Sequence, residues 1–367
     1  MKYFLFIYLF SNLIIAQNKD DISNNAYIQT EYFYGNILKH NKNVGHFLTG
    51  HPTGFILSYN LKSKANKEWQ NLYNYPDFGF SAAFQDYKNP ILGKLYSLYA
   101  HYNFYLLPRN NKNQILLRAG WGIAYNTNPY DKKNNPKNVA FGTKINSSTY
   151  LKLYYQRENI FKNIGVNSGL TFIHASNSSV KSPNTGVNVW AATIGLNYNF
   201  KTNLKKYNPK KTKGKYTEKL KYNFKLSFGA NETDYIGTGV KPFYVLSAYI
   251  DKRIGKKSSL QFGAEWMANY SLKEYLKIQN ILNNTNTKKD FNRIGLLLGH
   301  ELFISRVSLE TQLGYYIYYP FDFEGRIYER LTLKYYLKQE KKWFASIGLK
   351  AHAAKAETVA FGIGIRL

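Results

Sequence analysis

The 367-residue chain has no cysteine. Disulfides, thiol nucleophiles and a lipid-modified N-terminal cysteine are therefore excluded. Beyond its first residues the chain also lacks an apolar run approaching the roughly 20 residues of a spanning helix. It contains no Gly-x-Ser-x-Gly elbow, no His-Glu-x-x-His pair, no phosphate-binding glycine loop and no metal-ligand cluster. The hydrolase and nucleotide-binding classes those motifs mark have no footing here, and no metal or cofactor is expected. Acidic residues are scarce: 22 Asp and Glu face 50 Lys and Arg, a formal charge of +28. Such a charge attracts anionic partners such as phosphorylated lipid headgroups or acidic glycans. It is equally compatible with lysines that only decorate exposed turns, as in Lys205-Lys206, Lys210-Lys211, Lys256-Lys257 and Lys288-Lys289.

The chain opens with Lys2 and a short apolar stretch ending at Ala16, then turns polar at Gln17-Asn-Lys-Asp-Asp21. This reads as a signal peptide over residues 1–16, cut after Ala16. An export signal argues against nucleic acid as the partner. Aromatic residues make up 17%, with 34 Tyr and 24 Phe, yet the composition has few long apolar runs. Exported, aromatic-rich and without long apolar runs, the chain fits a transmembrane β-barrel, in which apolar residues alternate along strands and Tyr and Trp form interfacial girdles.

Alternation is indeed the dominant period. Trp190, Ala192, Ile194, Leu196, Tyr198 and Phe200 fall on one face of a segment, and Val189, Ala191, Thr193, Gly195, Asn197 and Asn199 on the other. The last segment places Phe361, Ile363, Ile365 and Leu367 opposite Gly362, Gly364 and Arg366. Comparable segments lie near 26–34, 52–62, 75–87, 93–108, 114–126, 145–157, 163–176, 187–200, 222–232, 241–253, 258–270, 292–304, 306–318, 328–338, 343–354 and 357–367. The expected fold is all-β, a transmembrane antiparallel barrel of about 12–16 strands, even in number. It is read as one barrel over residues 17–367. The stretch Lys201–Gly214 is the strongest linker signal, rich in Lys, Pro and Gly. It is taken as a long loop of that barrel, since a barrel must close as one unit. Ser271–Leu282 has helical spacing and is expected to form a short loop helix.

The chemistry-bearing stretch is Phe172-Ile-His-Ala-Ser-Asn-Ser-Ser-Val-Lys-Ser-Pro-Asn-Thr-Gly-Val-Asn188, within a hairpin at about 163–200. On a strand, His174 and Ser176 share a face with Cα atoms about 6.5–7 Å apart. Leu170 and Phe172 lie on that face, which points it outward to lipid. Asn188 is in line with Trp190, Ile194, Leu196 and Phe200, so it shares the apolar face and can approach His174 across the hairpin. Polar groups at the end of a lipid-facing wall are costly unless paired or used. His40, His46, His51, His101, His300 and His352 are scattered and read as structural or exposed. The five Trp residues read as girdle or packing residues.

His174-x-Ser176-Asn177, followed by Pro183-Asn184-x-Gly186 and then position 188, resembles the lipid A 3-O-deacylase (PagL-type) family, whose longer members are labelled acyloxyacyl hydrolases. Phe141-Gly-Thr-Lys-Ile-Asn-Ser-Ser-Thr149 is similar to that family's upstream segment. His51-Pro-Thr-Gly54 and Tyr75-Pro-Asp-Phe-Gly79 are similar to the longer members only. The resemblance is carried by residues 140–200. It implies an outer-membrane serine esterase of a Gram-negative-type cell that removes an ester-linked acyl chain from lipid A of lipopolysaccharide. It implies Ser176 as nucleophile and His174 as general base. Asn177, Asn184, Gly186 and loop amides would serve as oxyanion or substrate-positioning groups. A carboxylate usually orients the histidine in the best-known members, and here that position holds Asn188. A non-enzymatic barrel, either a porin or a surface scaffold with a relic motif, and a phospholipid esterase are the alternatives.

Overall fold

Strict alternation of side chains, with large apolar residues on one face and polar or small ones on the other, builds sixteen antiparallel strands among the described residues. The structure is a computed structural model that describes residues 25–40, 42–201, 207–208, 216–286, 288–321, 323–338, 340–353 and 355–367. The first eight strands are β1 (Ala26–Ile37), β2 (Thr53–Leu61), β3 (Asp77–Asp86), β4 (Lys94–Tyr105), β5 (Asn113–Asn126), β6 (Ile145–Phe161), β7 (Ile164–Ser176) and β8 (Val187–Asn199). The second eight are β9 (Lys221–Asn231), β10 (Lys241–Arg253), β11 (Ser258–Asn269), β12 (Asn292–Ile304), β13 (Val307–Tyr318), β14 (Ile327–Tyr336), β15 (Trp343–His352) and β16 (Lys355–Arg366). Among the described residues the loops hold a short 3-10 helix (Lys42–Phe47) and two α-helices, α1 (Glu68–Leu72) and α2 (Tyr270–Leu282). The second is the loop helix expected at Ser271–Leu282, capped by Asn269, whose Oδ1 accepts from the Ser271 amide at 3.0 Å. The signal peptide read over residues 1–16 lies outside the described residues.

The all-β antiparallel barrel class holds, and sixteen strands fall within the expected range. The single closure does not. β1 pairs with β8 from Tyr27↔Asn199 to Ile37↔Val189, and β9 pairs with β16 from Phe228↔Phe361 to Asn223↔Arg366, closing two separate eight-stranded barrels. Eight twisted strands suffice to bring first against last. Once β8 has paired with β1 there is no free edge to receive β9. Lys201–Gly214, expected to be a loop within one barrel, connects the two in sequence, and of it only Lys201, Tyr207 and Asn208 are among the described residues.

Both outer walls are apolar. Leu57, Leu98, Leu170, Ile194 and Trp190 are exposed on the first barrel, and Leu246, Phe262, Leu298 and Ile363 on the second. Trp121, Trp190, Trp266 and Trp343 are exposed on these walls, as girdle residues would be. The lumens are filled by polar side chains, as the width of an eight-stranded barrel dictates. In the first, Arg118 donates to Asn103 at 2.6 Å, to Ser58 at 2.8 Å and to Tyr150 at 3.1 Å. The Lys152–Glu31 ion pair sits beside this cluster. In the second, Lys334 lies between Glu301 at 3.0 Å and Glu310 at 2.5 Å, and Arg330 pairs with Glu265 at 2.6 Å. A charge pair removed from water needs a partner and further hydrogen bonds; Lys152 also donates to Asn167 at 3.1 Å and Lys334 to the Tyr249 hydroxyl at 2.8 Å.

The linker is pinned where it leaves the first barrel. Asn110 grips Tyr207 by both backbone groups, at 2.8 Å and 2.7 Å, and the Tyr207 ring packs tilted against Tyr75 with ring centroids 5.0 Å apart. Where it enters the second barrel, burial pushes the Glu218 carboxyl up, but the Arg366 guanidinium outweighs this and holds the group below the usual carboxylate range. At this same end Lys256 pairs with Glu68 at 2.5 Å, Lys257 lies over the Tyr73 ring, and the Tyr73 hydroxyl donates to the Phe303 carbonyl at 2.8 Å. The Lys256-Lys257 cluster therefore joins the barrels at the linker end.

Candidate functional site

The β7–β8 hairpin carries the site at the end of the first barrel opposite the linker. Register pairs His174 directly with Asn188 and Ala175 with Val187, so strand pairing alone sets the histidine beside the asparagine. Phe172 and Trp190 are the next pair down the same face, their rings 5.2 Å apart. Leu170 and Ile194 continue that face and are 58% and 67% exposed, which identifies it as the outer wall.

His174 stands between two partners. Its Nδ1 is 2.5 Å from Asn188 Oδ1 and its Nε2 is 3.0 Å from Ser176 Oγ. An amide oxygen can only accept, so this contact places the imidazole proton on Nδ1 and leaves the Nε2 lone pair facing the hydroxyl. That is the tautomer a general base needs toward a serine. Sequence reading left open whether Asn188 or a distant carboxylate orients the imidazole; in the structure the group at Nδ1 is Asn188. Ser148 Oγ donates to the His174 carbonyl at 2.8 Å and fixes the strand beneath the ring.

Ser176 is 5% exposed and lies beneath the Asn177–Gly186 connection. The fold of this connection explains the Pro-Asn-x-Gly spacing. Asn184 Oδ1 accepts from the Asn177 amide at 2.8 Å, and Asn177 Nδ2 donates to the Lys181 carbonyl at 2.6 Å. Of the two asparagines, Asn177 thus has both its amide N–H and its side-chain Nδ2 engaged in the loop. Asn184 turns its oxygen to a backbone N–H, so its own NH₂ group remains without a hydrogen bond among the described residues. Gly186 has φ +66°, and an added Cβ would sit 3.0 Å from the Ala175 carbonyl and 3.2 Å from His174 Cε1. Only glycine combines that backbone with that closeness.

The upstream segment Phe141–Thr149 has its place as well. A Cβ on Gly142 would lie 2.6 Å from the Lys181 carbonyl and 2.7 Å from that of Pro183, so the two loops are in backbone contact. The amides of Thr185 and Gly186 donate to the carbonyls of Val139 and Ala140 at 3.0 Å and 3.2 Å. Sequence reasoning missed Val139, Ala140 and Ser148 as supports of the site. The backbone of the first two does the work, and no side-chain pattern reports it. His40 also lies close, with Nε2 3.0 Å from the Thr185 carbonyl. His101 is buried in the lumen between Ser81 and Asn60, and His51 contacts Asn36 on the exterior, in keeping with structural or exposed roles.

A groove of about 500 Å³ opens on the outer wall of the same barrel, lined by Leu57, Ala82, Phe84, Leu98, Ile123 and Ile145 among others. Its edge at Ile145 lies two residues before Ser147, the register partner of Ser176. The arrangement can therefore activate a hydroxyl beside an apolar surface open to lipid.

Residues 53–197 match the family model described as lipid A 3-O-deacylase (PagL), and residues 220–367 match acyloxyacyl hydrolase, C-terminal domain. The first match covers β2–β8 of the first barrel, and the second covers the whole of the second barrel. Among curated proteins none matches significantly. Of solved structures, the outer membrane enzyme PagL is similar at 16% identity, covering 46% of this chain and 97% of that one, with TM-score 0.32. Neisserial surface protein A is similar at 13% identity over 47% of this chain and 96% of that one, TM-score 0.31. Omp33 of Acinetobacter baumannii aligns over 95% of this chain and 99% of its own at 9% identity, TM-score 0.18.

Proposed function

Since the chain belongs to the lipid A 3-O-deacylase (acyloxyacyl hydrolase) family in its longer, two-barrel form, we propose that it is an outer-membrane serine esterase that removes an ester-linked acyl chain from lipid A. One observation carries this reading: His174 bridges Ser176 and Asn188 on a wall that faces lipid. Acyl esters of a membrane lipid lie at that level, so the ester reaches the hydroxyl without the lipid leaving the bilayer. The longest connection of the first barrel, 127–144, lies at the site's end, as on the outer face of such barrels. Lipopolysaccharide occupies that face, and the chain's excess of Lys and Arg suits its phosphates.

Ser176 Oγ attacks the ester carbonyl while His174 Nε2 takes the hydroxyl proton. The carbonyl oxygen gains charge, and the Asn184 NH₂ group is the donor assigned to it. The histidine then protonates the departing sugar hydroxyl, leaving the acyl chain on Ser176. Water, deprotonated by the same imidazole, releases the fatty acid. Asn188 fixes the imidazole's tautomer but brings no charge to stabilise the imidazolium.

The test is mass spectrometry of lipid A from membranes that carry either the wild type or Ser176→Ala. The wild type is expected to give a species lighter by one acyl group, and the variant none. Identical lipid A in the two membranes would sink the proposal. Fatty acid released from phospholipid but not from lipopolysaccharide would transfer the activity to the phospholipid-esterase alternative.

A further inference from the structure

The loop that covers Ser176 is held from two sides, and one side belongs to the other barrel. The β9–β10 connection, Glu232–Val240, reaches across at the site's end of the molecule. The Glu232 carboxylate accepts from the Ser182 amide through Oε2 at 2.9 Å. Its other oxygen accepts from the amides of Gly237 and Gly239 at 3.0 Å and 2.9 Å. The Glu232 amide donates to the Ser179 carbonyl at 3.2 Å, and Ser182 Oγ donates to the Thr233 carbonyl at 2.6 Å. Ser179 Oγ donates to the Ala356 carbonyl, in the second barrel's last strand, at 2.7 Å. Glu232 and Thr233 are buried. The clamp itself is braced: the Tyr235 ring stacks on Tyr275 of α2, and its hydroxyl accepts from Gln279 at 2.8 Å.

Ser182 is placed to transmit this hold. Its neighbour Lys181 supplies the carbonyl that takes Asn177 Nδ2, and two residues on, Asn184 takes the Asn177 amide. Any shift at Ser182 therefore moves the asparagine assigned to the oxyanion and the residue next to the nucleophile. A displacement of about 1 Å at a reacting group costs on the order of 10²-fold in rate.

We propose that Glu232 of the second barrel is a positioning residue for the first barrel's esterase site: its carboxylate, by accepting the Ser182 amide, holds the Asn177–Gly186 loop in the geometry in which Asn184 meets the developing oxyanion. This rests on the esterase reading above, and it gives the second barrel a part in that reaction. The carboxylate is suited to the task because all three groups it receives are N–H donors. An amide in its place keeps one acceptor oxygen and turns an NH₂ group toward a donor.

The experiment uses the full chain in detergent micelles and compares wild type, Glu232→Gln and Ser182→Ala. It reads hydrogen exchange of peptides spanning 177–186, together with kcat and KM on lipid A. Glu232→Gln is expected to speed exchange in that segment by at least about tenfold and to lower kcat by at least about tenfold. KM should stay within about twofold, and exchange in β2–β5 should be unchanged. Ser182→Ala, which loses only the bond to Thr233, should show the same pattern more weakly. Unchanged exchange at 177–186 in Glu232→Gln overturns the proposal. So does faster exchange with wild-type kcat. A wild type without deacylase activity would instead defeat the esterase reading, while the exchange measurement still decides whether Glu232 holds the loop.

Discussion

The first strand of each barrel's last hairpin carries a histidine at or near its end, and the two histidines do opposite things. In the first barrel β7 closes with His174-Ala-Ser176, and His174 lies on the outer wall against Ser176 and Asn188. In the second, β15 ends at His352, which points into the lumen, where Nε2 is 2.8 Å from Glu357 and Nδ1 is 3.0 Å from the Ile327 carbonyl. A shift of one residue along a strand exchanges the two faces of the sheet. His174 thus lies on the outer wall with a serine two residues away, while His352 joins the buried cluster of Arg293, Lys350 and Glu357. The connections differ too. Ten residues, Asn177–Gly186, fold over Ser176, whereas β15 and β16 are joined by two, 353–354. Sharing a fold and a histidine does not share a chemistry; the face of the strand and the loop above it decide.

The largest expected effect breaks the first hairpin outright. Ser176→Ala and His174→Ala should each lower kcat for lipid A deacylation by about 10³-fold or more. The double variant should be little worse than either, because the pair acts as a unit; independent, additive losses in steady-state kinetics would separate the two residues. Gly186→Ala places a Cβ in the left-handed region against His174 and Ser176, a strain of about 1–3 kcal/mol. Activity should fall by tens-fold while the second barrel's strands keep their hydrogen-exchange protection.

Asn188→Asp sharpens the comparison by giving the outer histidine the kind of partner that Glu357 gives the inner one. A carboxylate stabilises the imidazolium, so kcat at pH 8 and above should rise by about tenfold. The same carboxylate raises the imidazole pKa. As pH falls the neutral base is then lost earlier, and the acidic limb of the kcat profile should move to higher pH; a limb that stays in place would mean that position 188 does not govern the imidazole. The smallest effect is at the linker. Asn110→Ala removes both bonds to the Tyr207 backbone, worth about 1–2 kcal/mol, and should speed tryptic cleavage within 201–219 while leaving kcat unchanged.

The strands were legible because lipid outside and a polar lumen inside impose a period of two, and the pairing of His174 with Asn188 followed from the same alternation. Closure was not legible. Whether β8 returns to β1 or passes its edge to β9 depends on twist and curl accumulated over a whole sheet, and no local residue records it. Lys201–Gly214 was the visible trace, and its clustered Lys, Pro and Gly suit a linker and a long loop equally. The hold of Glu232 on Ser182 was hidden for another reason: a single acid after a strand carries no pattern, and its partner is a backbone amide 50 residues away.

The most direct measurement is fatty-acid release from lipid A by the purified full-length protein, run side by side for wild type, Ser176→Ala and His352→Gln. Release by the wild type, none by Ser176→Ala and a wild-type rate in folded His352→Gln is the predicted result. Release that survives Ser176→Ala, or that His352→Gln abolishes, would contradict an esterase site on the outer wall of the first barrel.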